Sequence, residues 1–261
     1  MMEQGVPVFH ATSMPSGGYP NLGSRTTLIH AHSTTREIVA PFLCSVTHSE
    51  RCVGCERRAS DVLCRARFEA LPGVGSPLCG RCGLPSAFAT YVCEECKNVD
   101  FGFESARAPL KYEGVGKQVV HALKYRGYKR VVERLAVPLM LQTLGDGGFD
   151  AVVPVPLHRS RLRKRGFNQA ELLARGVAGK MKATVSDTLE VVRSTRDQVE
   201  LSAAQRRANV AGAYAATAPL RGKLLLVDDV FTTGATMSAC AATLLCAGAR
   251  EVHALTLCRT C

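Results

Sequence analysis

Asp228 and Asp229 stand side by side where the apolar run Leu224 to Val227 gives way to "VFTTGAT". Carboxylates accept hydrogen bonds from vicinal hydroxyls, so the pair suits a sugar. The segment that follows opens a helix, whose first N–H groups lack intrahelical partners and whose dipole favours an anion. Thr232, Thr233 and Thr236 add hydroxyl donors, Gly234 lets the backbone approach an anion closely, and Ala235 carries the chain into the helix. A ribose bearing a 5-phosphate satisfies both halves. Two other chemistries place acids after an apolar strand. A Walker B strand requires a G-x-x-x-x-G-K-[ST] loop, which the sequence lacks. A magnesium-binding acid pair of another kind remains open.

The second chemistry lies in the cysteines, of which the chain has 12. Cys79 and Cys82 in "CGRCG" and Cys93 and Cys96 in "CEEC" form two knuckles, and four thiolates so spaced suit tetrahedral zinc. Four buried thiols are the alternative. Upstream, Cys52 and Cys55 in "CVGC" begin a similar ribbon, but Cys64 is followed by Arg67 where a fourth cysteine belongs. A guanidinium stays protonated and cannot ligate. Either Cys44 or another group completes that shell, or this half has lost its zinc, and loss is the expectation. A closed zinc site is structural, and zinc can supply about 10–16 kcal/mol of apparent binding energy to a segment with little apolar core. Cys240 and Cys246 fall on a helix as core residues. Cys258 and Cys261 form a terminal C-x-x-C to which no metal is assigned.

These groups need a scaffold, and 261 residues suffice for one α/β core plus a small accessory module. Residues 1–36, rich in Ser, Thr, Gly, Pro and His, read as a disordered extension. Residues 37–100 read as a Cys-rich, double zinc-ribbon module introduced by a short apolar helix at 37–46. From 101 to 261, strands and helices alternate. "ARAPLKY", "DAVVPVP", "KLLLVDDV" and "EVHALTLC" have strand character. "GVGKQVVHALKY", "YKRVVERLAVPLMLQTL", "NQAELLARGVAGKMKA" and "ATMSACAATLLCAG" have helical spacing, the second bent or interrupted at Pro138. Such alternation implies a parallel sheet with helices on both faces.

The 33 Lys and Arg against 22 Asp and Glu give a net charge of +11, which favours polyanionic or phosphorylated partners. The densest run is "HRSRLRKR", His158 to Arg165. No membrane-length apolar window and no secretory signal are visible, so no membrane insertion and a cytoplasmic location are expected.

"VDDVFTTGAT" resembles the phosphoribosyl pyrophosphate (PRPP) loop of type I phosphoribosyltransferases. "ALKYRG" (122–127), "VPVPLHRSRLRKRGFNQAELLA" (153–174) and "DQVELSAAQRRANVAGAY" (197–214), behind a cysteine-rich ribbon, resemble the ComF family of competence-associated proteins. The resemblance spans about 52 to 259, with "CRAR" its clearest departure. It implies a type I phosphoribosyltransferase-like sheet preceded by a zinc ribbon, with Asp228 and Asp229 on the ribose hydroxyls and 232–236 on the 5-phosphate. It also implies a pyrophosphate loop at Val155, Pro156, Leu157 and His158, with Arg165 and Lys124 the favoured cations beside magnesium. Arg159, Arg161, Arg163 and Lys164 add positive field, though some must face water. A closing segment would carry Gln198, Arg206 and Asn209.

His121 and His253 lie on apolar elements and are not assigned as catalysts. No residue stands out as a base, so the acceptor is left unnamed. Without an N-terminal cysteine or a glutaminase domain, glutamine-dependent amidophosphoribosyl transfer is not expected. The implied role is ribosyl transfer from PRPP in DNA uptake and natural transformation or in nucleotide metabolism, with single-stranded DNA and competence-machinery proteins as partners. The alternative is a non-catalytic module in which the PRPP site senses nucleotide supply while the ribbon and basic run engage nucleic acid.

Overall fold

A six-stranded parallel sheet carries the molecule. The computed structural model describes residues 50–97, 99–126, 129–145, 148–193, 205 and 209–261. The extension at 1–36, the short helix expected at 37–46, Cys44, Gln198 and Arg206 lie outside these residues.

The ribbon region contributes β1 (Glu50–Arg51) and β2 (Arg58–Ala59), an antiparallel pair, then α1 (Arg65–Glu69) and α2 (Glu94–Lys97). The expected first strand is split into β3 (Ser105–Arg107) and β4 (Leu110–Lys111), both paired with the last strand. Then come α3 (Gly114–Arg126), α4 (Lys129–Val131) and α5 (Val137–Leu141), the last two joined through a π-helical stretch, Val132–Ala136. The interruption expected at Pro138 therefore falls just before it. The Val137 N–H reaches the Val132 carbonyl, an i to i−5 bond, next to a proline that has no N–H to give.

Next are β5 (Ala151–Pro154), α6 (Arg159–Arg165), α7 (Gln169–Met181) and β6 (Thr184–Val185). A separate antiparallel pair, β7 (Leu189–Val191) and β8 (Tyr214–Ala216), follows. The chain ends with β9 (Lys223–Phe231), α8 (Ala235–Cys246) and β10 (Glu251–Arg259). The strand order is β3-β10-β9-β5-β6, with β4 also on β10, and every pairing in this sheet is parallel.

β9 is apolar on both faces because both are covered. Leu225 and Val227 join Val119 and Leu123 of α3, Leu173 and Val177 of α7 and Leu255 of β10. Leu224 and Leu226 join Met237, Cys240 and Leu244 of α8 with Phe101 and Phe103. All four are fully buried, each contributing about 1.5–3 kcal/mol of apolar transfer. Residues 47–261 form one compact unit, ribbons included. Among the described residues no helix is long and apolar enough to cross a membrane.

Candidate functional site

Two neighbouring strands end at different heights, and the site lies at that step. β5 pairs with β9 only as far as Pro154 opposite Val227, whereas β9 continues through Asp228 and Asp229 to Phe231 along β10. The acids therefore lie within the strand rather than after it, just beyond the point where its β5 neighbour stops. Successive strand side chains point to opposite faces. Asp229, 8% exposed, faces the α3 side, where its Oδ2 lies 3.1 Å from Lys124 Nζ. Asp228, half-buried, is on the α8 side, and its Oδ1 accepts the Asp229 N–H at 2.8 Å.

Their electrostatics differ accordingly. Burial, then the adjacent Asp229 carboxylate, pushes Asp228 up to about 7, against the pull of Lys124 and Arg165. Burial opposes the Lys124 ammonium, but the Asp229 carboxylate outweighs it and the lysine pKa is raised. Asp229 is thus held in an ion pair, while Asp228 is the acid closer to the helix start.

Beyond β9, Thr232 and Thr233 are half-buried and Gly234 caps α8 with φ +73°. A Cβ at Gly234 would stand 2.6 Å from Phe231 Cζ and 2.8 Å from Phe101 Cε1, so aromatic packing as well as backbone conformation requires glycine there. Thr233 Oγ1 accepts the Ala235 N–H at 3.4 Å, and Thr260 Oγ1 donates to the Thr232 carbonyl at 3.3 Å. Thr236, on the first turn, hydrogen-bonds the Tyr214 hydroxyl.

The loop after β5 runs alongside. Val155 is committed to structure: its N–H donates to the Val227 carbonyl at 2.9 Å and its carbonyl accepts Asn168 Nδ2 at 3.0 Å. Pro156, Leu157 and His158 follow half-buried, and His158 Nδ1 caps α6 by accepting the Ser160 N–H at 3.2 Å. Along α6, Arg159, Arg163 and Lys164 are exposed while Arg161 and Arg165, one turn apart, are half-buried. Arg165 Nη1 donates to Gln169 Oε1 at 2.5 Å, and its guanidinium carbon lies 6.0 Å from the Tyr125 ring centroid. The buried Gln169 Nε2 has no hydrogen-bond partner among the described residues.

The structure therefore brings together Asp228, Asp229, Lys124, the 232–236 loop and the 155–158 loop with Arg165. Asn209 is half-buried and its carbonyl accepts Arg193 Nη2 at 3.0 Å. Sequence reasoning missed two residues, Tyr214 and Gln169. Tyr214, from β8, feels both Asp228 and Arg161, and burial raises its phenol pKa. Arg161, one of the cations expected to add positive field, shares a half-buried helix face with Arg165. Gln169 anchors Arg165, and only the fold reveals this.

Cys79, Cys82, Cys93 and Cys96 cluster with all four sulfurs within 4.8 Å of one another, and pairs stand 3.9, 3.7 and 3.6 Å apart. Zinc–sulfur bonds of about 2.3 Å in a tetrahedron require sulfur separations of about 3.8 Å, so this donor set fits zinc. Cys52, Cys55 and Cys64 form a second, three-sulfur cluster, with Cys55 and Cys64 at 3.8 Å. Cys240 and Cys258 are buried in the sheet's two core layers, and Cys246 and Cys261 are exposed.

No family model matches the chain. It is 35% identical over 191 residues to the DNA utilization protein YhgH of Salmonella typhimurium, covering 70% of this chain and 84% of that protein. It is 25% identical over 225 residues to competence protein F of Haemophilus influenzae (80% and 96% covered), and 26% identical over 207 to competence protein ComFC of Bacillus subtilis (76% and 82%).

Proposed function

The chain belongs to the ComF family, and from that premise we propose that it binds PRPP with magnesium at the carboxyl ends of β5 and β9 and acts as a phosphoribosyltransferase-type protein in the handling of incoming DNA. One observation carries this reading: Asp228, the threonine-rich start of α8 and the α6 arginines converge where β5 stops short of β9. Open α/β sheets bind ligands at the carboxyl ends of their strands.

The two acids divide the work. Asp228 accepts the ribose hydroxyls, and Asp229, paired with Lys124, fixes that lysine toward the diphosphate. The 232–236 loop and the first turn of α8 hold the 5-phosphate. Arg165, braced by Gln169, and Arg161 face the charge that develops on the departing diphosphate as the C1–O bond breaks. Magnesium, carried largely by diphosphate oxygens and water, would neutralise part of that charge. Gln169 Nε2, buried and without a hydrogen-bond partner among the described residues, is a further donor for an anion. No side chain among the described residues is placed as a base, so the acceptor must bring its own nucleophilic atom. YhgH is named a DNA utilization protein and the other two relatives competence proteins. With the net charge of +11 and the exposed Arg159, Arg163 and Lys164 of α6, single-stranded DNA is the partner that fits, within the cytoplasm and alongside competence-machinery proteins.

Calorimetry of the full chain with PRPP and magnesium tests this. Binding is expected, and Asp228→Asn should weaken it by about 10- to 100-fold, the loss of hydrogen bonds to a charged acceptor. Because Asp228 titrates near 7, affinity should rise from pH 6 to pH 8 in the natural chain, and that added slope should vanish in Asp228→Asn. Absence of uptake, or equal affinity of the variant, refutes the site. Pyrophosphate release with single-stranded DNA or a free base marks an enzyme, whereas binding without release under every acceptor marks the sensor. A salt-independent DNA affinity would remove the electrostatic contact.

A further inference from the structure

The first ribbon departs from the second at a single coordination corner. Cys52, Cys55 and Cys64 place three sulfurs within 4.8 Å of one another, and the 3.8 Å between Cys55 and Cys64 matches the edges of the four-cysteine cluster. The second knuckle keeps its backbone form, since the Arg67 N–H donates to the Cys64 carbonyl at 3.0 Å as if residue 67 were still a ligand. The Arg67 stem lies over the first knuckle: its Cγ is 3.2 Å from where a Cβ on Gly54 would stand, between Cys52 and Cys55. Its guanidinium hydrogen-bonds the Cys55 sulfur. Among the described residues no further Cys, His, Asp or Glu joins the three.

We propose that Cys52, Cys55 and Cys64 bind a second zinc ion through three thiolates, with the fourth coordination position open to a small anionic donor from solution and Arg67 set beside it as countercharge. The charge balance favours this over a lost site. Zinc with three thiolates carries one negative charge where four thiolates carry two, and a guanidinium against a sulfur offsets that single charge. Closed tetrahedral sites are structural, and sites with three protein ligands keep an exchangeable position. Cys52 is buried and anchors the cluster in the core, while Cys55 and Cys64 are only half-buried, leaving the open corner accessible. The cationic neighbour selects an anionic fourth ligand, a small thiolate before a neutral amine. The site is independent of the PRPP reading, and neither depends on the other.

The test uses the full chain. Metal analysis should find two zinc ions per chain, one removed by a chelator at least about tenfold faster than the other, the scale on which the groups around a site tune metal hold. After replacement of zinc by cobalt, a small thiol should shift the absorption of one cobalt and leave the other unchanged. Cys64→Ser should lose the faster metal and the thiol response together. Arg67→Cys, which restores a fourth sulfur, should keep two metals, abolish the thiol response and slow the faster release toward the slower one. One metal per chain overturns the proposal. So do two metals that both show four sulfurs by X-ray absorption and ignore added thiol, because Cys44 or a second chain would then close the shell. If Arg67→Cys fails to fold, the thiol response of the natural chain decides alone.

Discussion

The two cysteine clusters use the same C-x-x-C knuckle on opposite faces of one sheet, yet they are tied to it very differently. Cys79, Cys82 and Cys96 belong to the core layer beneath α8, with Phe103 and Ala106. Their ribbon is bolted down through the backbone: the Ala106 N–H donates to the Arg81 carbonyl at 2.6 Å, and Arg81 Nη2 to the Phe101 carbonyl at 2.6 Å. Arg259, 3% exposed at the end of β10, donates to the Cys82 carbonyl and lies 5.3 Å from the Phe231 ring. Gly83, at φ +70°, allows the close approach, since a Cβ there would run into the Ala106 carbonyl. The first ribbon instead rests on Val62 and Leu63 in the layer beneath α3, and its polar tie is a surface pair, Asp61 with Arg134. A four-sulfur cluster that fits zinc is thus joined to β10, the strand beside β9. The three-sulfur cluster is joined to the layer beneath α3.

The largest effect that this contrast predicts is from Cys82→Ser. Structural zinc supplies about 10 kcal/mol or more of apparent folding energy, and Cys82 contributes both a sulfur and the carbonyl that Arg259 holds. Hydrogen exchange should accelerate throughout 79–96 and spread into β3 and β10, with a large fall in melting temperature. Cys64→Ser should accelerate exchange in 50–69 while leaving β9 protected. Equal spread from both variants would break the contrast.

Arg259→Met comes next. It keeps the aliphatic volume over Phe231 but leaves the buried Cys82 carbonyl without its donor, a loss of about 1–3 kcal/mol. Chemical denaturation should show that loss, with zinc release from the four-cysteine site made faster and release from the three-cysteine site unchanged. If both releases accelerate equally, the ribbons are not separately anchored.

What the sequence disclosed follows the same division between local and tertiary causes. The strands, the helices of the α/β region and the four-cysteine ribbon are legible because each depends on spacing along the chain: period 2, period 3.6 and paired knuckles. The position of Asp228 and Asp229 was legible too, and the same period 2 implies that their side chains leave the strand on opposite faces. Tyr214 carried no signal, since it meets Thr236 only because β8 passes over the start of α8. The break expected at Pro138 appears as a π-helical stretch before it, because the residues ahead of a proline absorb the missing N–H. Arg67 reads as a lost ligand in a one-dimensional pattern, whereas in space its side chain hydrogen-bonds the Cys55 sulfur.

The smallest effect is at the first ribbon's polar tie. Arg134 Nε and Nη2 each lie 2.9 Å from an Asp61 carboxylate oxygen, a bidentate pair with side chains 51% and 40% exposed. Hydrogen bonding from Arg134 holds the Asp61 pKa below the usual carboxylate value. The folded pKa is therefore lower than the unfolded one, so the stabilisation is fully present above the ordinary carboxylate range and is lost as pH falls through the lowered value. Solvent screening limits it to about 0.5 kcal/mol. Arg134→Ala should cost roughly that amount at pH 7 and progressively less as pH falls through the lowered Asp61 value, since a protonated carboxyl has no charge to pair. If the three-sulfur site depends on this tie, its metal should also leave slightly faster in Arg134→Ala at neutral pH, with release from the four-cysteine site unaltered. A shift in the second release would mean that the two faces of the sheet communicate, and that the separation of the ribbons is weaker than their contacts suggest.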